Sequence, residues 1–137
     1  MYTDLFSAFL ASDDTLRIYQ DETLIWVSQK DRLLPLMEYL AEPGSGQQPA
    51  AIFDKIMGNA AALLAIKANC REVYSPLGSD LAVKTLDKYN ITHYLTETVP
   101  YIQRPDGKGI CPMEKLSIGK EPEEFYQEMK ARIESSK

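Results

Sequence analysis

Cys111-Pro112-Met113-Glu114 sets a thiol and a carboxylate three residues apart at what reads as a helix start. A cysteine there meets unpaired amide hydrogens and the positive end of the helix dipole, both of which favour the nucleophilic thiolate. Glu114 would accept a proton or hold a ligand. Ordinary helix grammar accounts for the same residues, since proline suits the first helical position and glutamate the third. No histidine base is placed by sequence beside Cys111. A second candidate run is Asp54-Lys55-Ile56-Met57-Gly58-Asn59, which follows an apolar strand. Asp54 would bind a hydroxyl or activate a water, and Lys55 would hold a phosphate. Gly58 and Asn59 open the next helix, where their amides would meet an anion. The plainer reading is a solvated strand end with a local ion pair. No Gly-x-x-x-x-Gly-Lys-Ser/Thr and no Gly-x-Gly-x-x-Gly occurs, so a nucleotide loop is not written in the chain.

Metal chemistry has little to build on. A catalytic zinc needs three convergent N, S or O ligands and an open position. The single histidine, His93, falls on an expected strand, and Cys70 and Cys111 lie far apart with no spacing motif. The sequence therefore predicts no metal and no cofactor. Cys70 reads as a small packed residue, His93 as a structural histidine, and Tyr19 and Trp26 as core or edge cover. Ser75 and Ser79 are expected as turn and capping hydroxyls, with Ser75 also facing a crevice.

These residues need elements to position them. Tyr2, Leu5, Phe6, Phe9 and Leu10 recur at helical spacing, so a short amphipathic helix opens the chain. Leu16-Arg17-Ile18-Tyr19 and Leu24-Ile25-Trp26-Val27 read as strands joined through a short polar hairpin turn. A helix over Leu33 to Leu40 and a Gly/Pro loop over 42–49 follow. Ala50-Ala51-Ile52-Phe53 is a strand buried on both faces. An alanine-dense helix runs from about Met57 to Asn69. Glu72-Val73-Tyr74 is the next strand, then Ser75-Pro76-Leu77-Gly78-Ser79-Asp80 reads as a junction into a helix that Asn90 ends. Ile91 to Leu95 is the last strand, with a short helix at 112 and a longer one after Glu121. Strands alternating with helices imply right-handed parallel crossovers. The expected fold is α/β, a three-layer α/β/α sandwich on a mixed sheet of about five strands, in one domain over 1–137. Ligands on such sheets collect at the carboxyl ends of strands, here Asp54 to Asn59 and Ser75 to Asp80.

Composition sets outer limits. A chain of 137 residues with 45% hydrophobic content can bury one core. Net charge is −5, with the clearest clusters acidic, at Asp13-Asp14, Asp21-Glu22 and Glu121 to Glu124. Nucleic-acid backbones require a basic face, so no nucleic-acid partner is expected. No apolar stretch reaches the roughly 20 residues of a membrane span. Met1-Tyr2-Thr3-Asp4 has no basic n-region, so a signal peptide is not expected. Two unpatterned cysteines suit a reducing, cytoplasmic setting.

The element order and the strand–Ser-Pro-x-Gly–helix junction resemble the cytidine-deaminase-like fold over about residues 1–95. Asp54 to Ala62, with Val99-Pro100-Tyr101-Ile102 and Cys111-Pro112-Met113-Glu114-Lys115, is similar to a small uncharacterised prokaryotic family of that superfamily that lacks the zinc signature. This second resemblance spans nearly the whole chain. Zinc deaminases carry His-x-Glu or Cys-x-Glu at the first helix start and Pro-Cys-x-x-Cys at the second. Here Gly58-Asn59-Ala60 stands at the first, and Leu77 and Asp80 replace the cysteines at the second. Zinc-dependent deamination is therefore not expected. The resemblance implies a fold and, by analogy, a small ligand such as a nucleoside or nucleotide, held by Asp54, Lys55, Gly58, Asn59 and Ser75, with the Cys111 segment close by. It also implies self-association into a homo-oligomer. Two other readings stay open: a cysteine-dependent enzyme or redox protein using Cys111 and Glu114, and a structural or regulatory interaction protein.

Overall fold

The structure is a computed structural model that describes residues 2–136; Met1 and Lys137, the two ends of the expected domain, lie outside the described residues. Helix α1 covers Tyr2–Leu10, strand β1 Leu16–Gln20, β2 Thr23–Ser28, α2 Leu34–Ala41 and β3 Ala50–Asp54. Then come α3 over Asn59–Lys67, β4 over Cys70–Ser79, α4 over Asp80–Lys88, β5 over Thr92–Val99, α5 over Pro112–Ser117 and α6 over Pro122–Ser135. The strands form one five-stranded sheet in the order β2-β1-β3-β4-β5. β1 runs antiparallel to β2 and β3, whereas β3, β4 and β5 are mutually parallel. The mixed sheet is the one that an early hairpin followed by strand–helix alternation predicts.

Side-chain alternation along the strands gives the sheet two different cores. Ile52 and Val73 face a layer built from α2, α3, α4 and α6. Ala51, Phe53 and Tyr74 face α1, through Phe9 with Tyr2, Leu5 and Phe6. One face is thus packed by several helices and the other by α1, which makes the three layers. α3 is buried nearly all round, from Asn59 to Ala65. Its alanines let the helix lie close to the sheet while α4, α5 and α6 crowd against it. Asn69, at φ 63°, takes the left-handed conformation just past the α3 C-cap at Ala68, and its side chain donates to the Gly46 carbonyl.

The β1–β2 turn is two residues, Asp21 and Glu22, with φ 48° and 65°. That pair of positive φ values matches a type I′ turn, whose twist suits a hairpin. It forms without the usual glycine, and the Glu22 amide donates to the Tyr2 hydroxyl at 3.0 Å.

Ser75 to Ser79 is not a loop. These residues continue β4, pairing with Leu95 to Val99 of a longer β5. Ser-Pro-x-Gly reads as a turn because each residue locally favours one, but pairing with β5 overrides that preference. Beyond Asp54, where β3 ends, β4 finds its other neighbour in Met57: the Met57 amide donates to the Leu77 carbonyl and the Ser79 amide to the Met57 carbonyl. Pro76, which has no amide hydrogen, falls in the gap between these two partners, where a ladder bond is dispensable. α4 then starts directly from the strand, with the Ser79 hydroxyl accepting from the Ala82 amide at 3.0 Å. The strand end beside which a ligand would collect is Ser79 rather than Tyr74.

Candidate functional site

The helix start at Gly58 and Asn59 does meet an anion, and the chain supplies it. Glu114, 2% exposed, reaches from α5 across the opening of α3. Its Oε1 accepts from the Asn59 amide at 2.5 Å, and its Oε2 accepts from the Ile102 amide at 2.8 Å. Helix N-termini favour negative charge, so this carboxylate ties α5 and the 100–110 segment to α3. Gly58 permits the approach: a Cβ there would lie 2.9 Å from Ile102 Cγ1 and 3.0 Å from Glu114 Oε1. The Asn59 side chain completes the lock. Its Nδ2 donates to the Ser117 hydroxyl at 2.9 Å and the Ser117 carbonyl at 3.2 Å, and its Oδ1 accepts from the Thr85 hydroxyl. Ser117 in turn donates to the Glu114 carbonyl at 2.6 Å.

Asp54 and Lys55, adjacent in sequence, serve different faces. Lys55 turns toward α1, where its Nζ donates to the Ser12 carbonyl at 2.9 Å and lies 4.8 Å from the Phe9 ring centre. Asp54 is buried, and its Oδ1 accepts from the Ile56 amide at 3.4 Å. Burial pushes its carboxyl up to about 7, against the opposing pull of the Ile56 and Lys55 amides. The β3–β4 register ends at Phe53 and Tyr74, each one residue short of Asp54 and Ser75. Ser75 is fully buried, and its hydroxyl closes on its own strand, donating to the Leu77 carbonyl at 2.9 Å and accepting from the Leu77 amide at 3.3 Å.

A raised acid has a definite pH signature. Native Asp54 keeps its proton up to about pH 7, while in the unfolded chain an aspartate loses it near pH 4. The native state therefore binds the extra proton across that window, and this group's contribution to stability falls as pH rises through it. Asp54→Asn removes the effect. Its stability relative to the parent is expected to rise by about 2 kcal/mol between pH 5 and pH 8. Urea unfolding at the two pH values measures this; an unchanged gap would show that Asp54 ionises as freely in the fold as outside it.

Cys111 is the half-buried N-cap of α5, and its thiol makes no capping bond. Its amide donates to the Ile102 carbonyl at 2.8 Å. The two residues of the expected thiol–carboxylate pair thus have separate surroundings, because Glu114 is committed to Asn59 and Ile102. Cys70 is buried, and desolvation pushes its thiol up to about 12, which makes it a poor nucleophile. His93 Nε2 sits 3.0 Å from Asp87 Oδ1. Among the described residues no group of three His, Cys, Asp or Glu side chains is placed to hold a metal ion. No helix among them is long and apolar enough to cross a membrane.

Of the sequence-derived site residues, Gly58, Asn59 and Glu114 come together, whereas Asp54 and Ser75 lie on neighbouring strands, one residue past the last β3–β4 pair, with separate hydrogen-bond partners. Lys55 leaves the group, and the Cys111 side chain does not join the hydrogen-bonded network. Ile102, which the Val99-Pro100-Tyr101-Ile102 motif marks only as part of the family resemblance, completes that network with Ser117 and Thr85, which no motif marks. One sequence signal was available for the network: Asn59 is a polar residue opening an otherwise apolar helix, and a buried amide needs partners.

No curated protein matches this chain. A crystal structure of a DUF1893 family protein (TM1506) from Thermotoga maritima is similar, with a TM-score of 0.86 and 25% sequence identity, over 96% of this chain and 88% of that one. A family model described as TM1506, domain of unknown function (DUF1893), matches residues 6–133. With nearly its whole length matched, the chain belongs to the TM1506 (DUF1893) family.

Proposed function

We propose that this chain is a zinc-free domain of cytidine-deaminase-like fold that binds a small uncharged ligand of the nucleoside class, without hydrolytic chemistry. The observation that carries this reading is the Glu114 carboxylate seated on the Asn59 and Ile102 amides. It fills the anion position at the α3 start from within, so a ligand approaching the carboxyl ends of β3 and β4 meets no vacant phosphate cradle. What remains for it are hydrogen-bonding groups, chiefly the Asp54 carboxyl and the backbone beside it, since the buried Ser75 hydroxyl is bonded to Leu77 of its own strand. The sheet order and the paired helix starts of α3 and α4 support the fold analogy. Glu114, with both oxygens engaged, is not placed as a base for Cys111, and this favours binding over cysteine catalysis.

A thermal-shift screen of nucleosides against their 5′-phosphates tests the reading. A ligand at about 100 times its Kd adds about 2.7 kcal/mol to stability, a rise of several degrees in Tm. Nucleosides should give this rise and nucleotides should not. Silence from every nucleoside at millimolar concentration would remove the ligand from the proposal. A response to nucleotides alone would contradict the filled anion position.

A further inference from the structure

Parallel strands are ordinarily buried on both faces. β5 departs from that: five of its eight residues, Thr92, Tyr94, Thr96, Glu97 and Thr98, are exposed. It is also the last strand of the sheet, paired with β4 along one edge only. Among the described residues, no backbone hydrogen bond from a turn or loop reaches its other edge. Proteins blunt such an edge with lysine, proline or a bulge, because its open amides and carbonyls template pairing with another chain. Thr92-His93-Tyr94-Leu95-Thr96-Glu97-Thr98-Val99 contains no lysine and no proline, and its register with β4 shows no shift. β2, at the opposite side of the sheet, does carry a blunting device: its register with β1 slips between Ile18 and Tyr19.

We propose that β5 pairs antiparallel with β5 of a second copy of this chain, about a two-fold axis beside Leu95, joining two five-stranded sheets edge to edge. The side chains fix the axis. Directly opposed residues of an antiparallel pair share a face of the sheet. A two-fold axis normal to the sheet keeps every side chain on its own face, so it must set some residue opposite its own copy. With Leu95 in that place, His93 lies opposite the second copy's Glu97, Tyr94 opposite its Thr96 and Thr92 opposite its Thr98. Alternation within the chain supports these faces: His93 meets Asp87 of α4 and Leu95 packs on the α3 core, whereas Tyr94 stacks on Tyr74 on the α1 side. Glu97 has no ion pair among the described residues, and His93 engages Asp87 through Nε2 alone. The pairing therefore gives the strand's one carboxylate an imidazole partner, twice over, and opposes no like charges. An axis beside Thr96 would set Glu97 opposite Leu95, and one beside Tyr94 would set it opposite Ile91, so neither makes this contact. The pairing also covers Tyr94, 51% exposed, with a β-branched neighbour. The strand is complementary to itself, which selects a copy of this chain over an unrelated peptide. The ligand proposed above plays no part in it.

Sedimentation of the full chain over about 5–500 µM tests the association, and the dimer fraction should rise across that range. Glu97→Lys puts a lysine on the open edge and a cation opposite His93; it should weaken the dimer about tenfold or more while the far-ultraviolet spectrum stays that of the parent. Leu24→Lys, on the β2 edge, should leave the association unchanged. Cross-linking reads the register, with the parent as control. Thr92→Cys and Thr98→Cys change exposed positions, each about 20 Å from its own copy in this arrangement. Neither alone should form a disulfide dimer on mild oxidation. Their mixture should, because opposed Cα atoms about 4.5–5.5 Å apart suit a disulfide. A chain that stays monomeric throughout would overturn the proposal. So would a dimer lost in Leu24→Lys but kept in Glu97→Lys, which would move the contact to β2, or a mixture no more cross-linked than its parts. If Glu97→Lys failed to fold, the threonine pair would still decide.

Discussion

Glu114→Ala is expected to lower stability by about 3 kcal/mol or more, and small carboxylates in the buffer are expected to restore part of the loss. The reasoning starts from two backbone amides, Asn59 and Ile102, that donate to this one side chain. Hydrogen bonds to a charged acceptor are worth about 1.5–3 kcal/mol each, and a buried donor left unpaired costs its full desolvation. Removing the carboxylate strands both amides and leaves a hole beside Gly58 shaped for it. For a chain of this size the Tm should fall by roughly 10 °C. Formate or acetate fits that hole and presents the same two oxygens, so each should raise the Tm of the variant above its value in chloride at equal ionic strength. The parent should not respond, because its own carboxylate occupies the position.

Glu114→Gln separates shape from charge. Its amide keeps one acceptor oxygen but turns an NH2 toward the second backbone donor. The expected loss is smaller, about 1–3 kcal/mol, without rescue by formate, since the space stays filled. Denaturant unfolding of the two variants checks both expectations. A loss below about 1 kcal/mol in Glu114→Ala would mean that water replaces the carboxylate readily, and the tie between α5 and α3 would then be weak.

This arrangement marks where sequence reasoning stops. Local rules located both halves of it. Pro112 and Glu114 have the grammar of a helix start, and Gly58-Asn59 that of another. The grammar says that Glu114 favours a helix N-terminus but not whose. The answer depends on the path of residues 100–111, which brings α5 to the mouth of α3, and no periodicity encodes that path. The same limit explains Ser75 to Ser79. Ser-Pro-Leu-Gly-Ser locally favours a turn, and only the partner strand, Leu95 to Val99, draws it into the sheet. Lys55 shows the reverse: strand alternation sends it to the face opposite Asp54, a separation that period-two counting makes legible in advance. The elements with clear local signals stand where those signals put them: α1 from its helical spacing, the hairpin strands from their apolar residues, β3 from its apolar run and α6 from its helix-start residues.

Phe53→Ala is the core change expected to cost most, about 3–5 kcal/mol. Phe53 is fully buried and is the ring that the others share: Tyr2, Phe6, Phe9, Tyr19 and Tyr74 all lie between 4.8 and 6.1 Å from its centre. The two cores would not respond alike to such a loss. On the α3 side, small alanines and several helices divide the burial, so neighbouring side chains can shift into a gap. On the other side α1 packs as a nine-residue helix, too short to be stable in water without the sheet beneath it. Removing its central contact should release α1 locally before the sheet unfolds. Amide exchange over residues 2–10 is therefore expected to accelerate more than exchange in β3 and β4, with the near-ultraviolet tyrosine signal falling in step. Phe53→Leu, which keeps most of the volume, should lose less than half as much. If α1 exchanged in Phe53→Ala as slowly as in the parent, the helix would have to be held by something other than this ring, with the Tyr2 hydroxyl on the hairpin turn the next contact to remove.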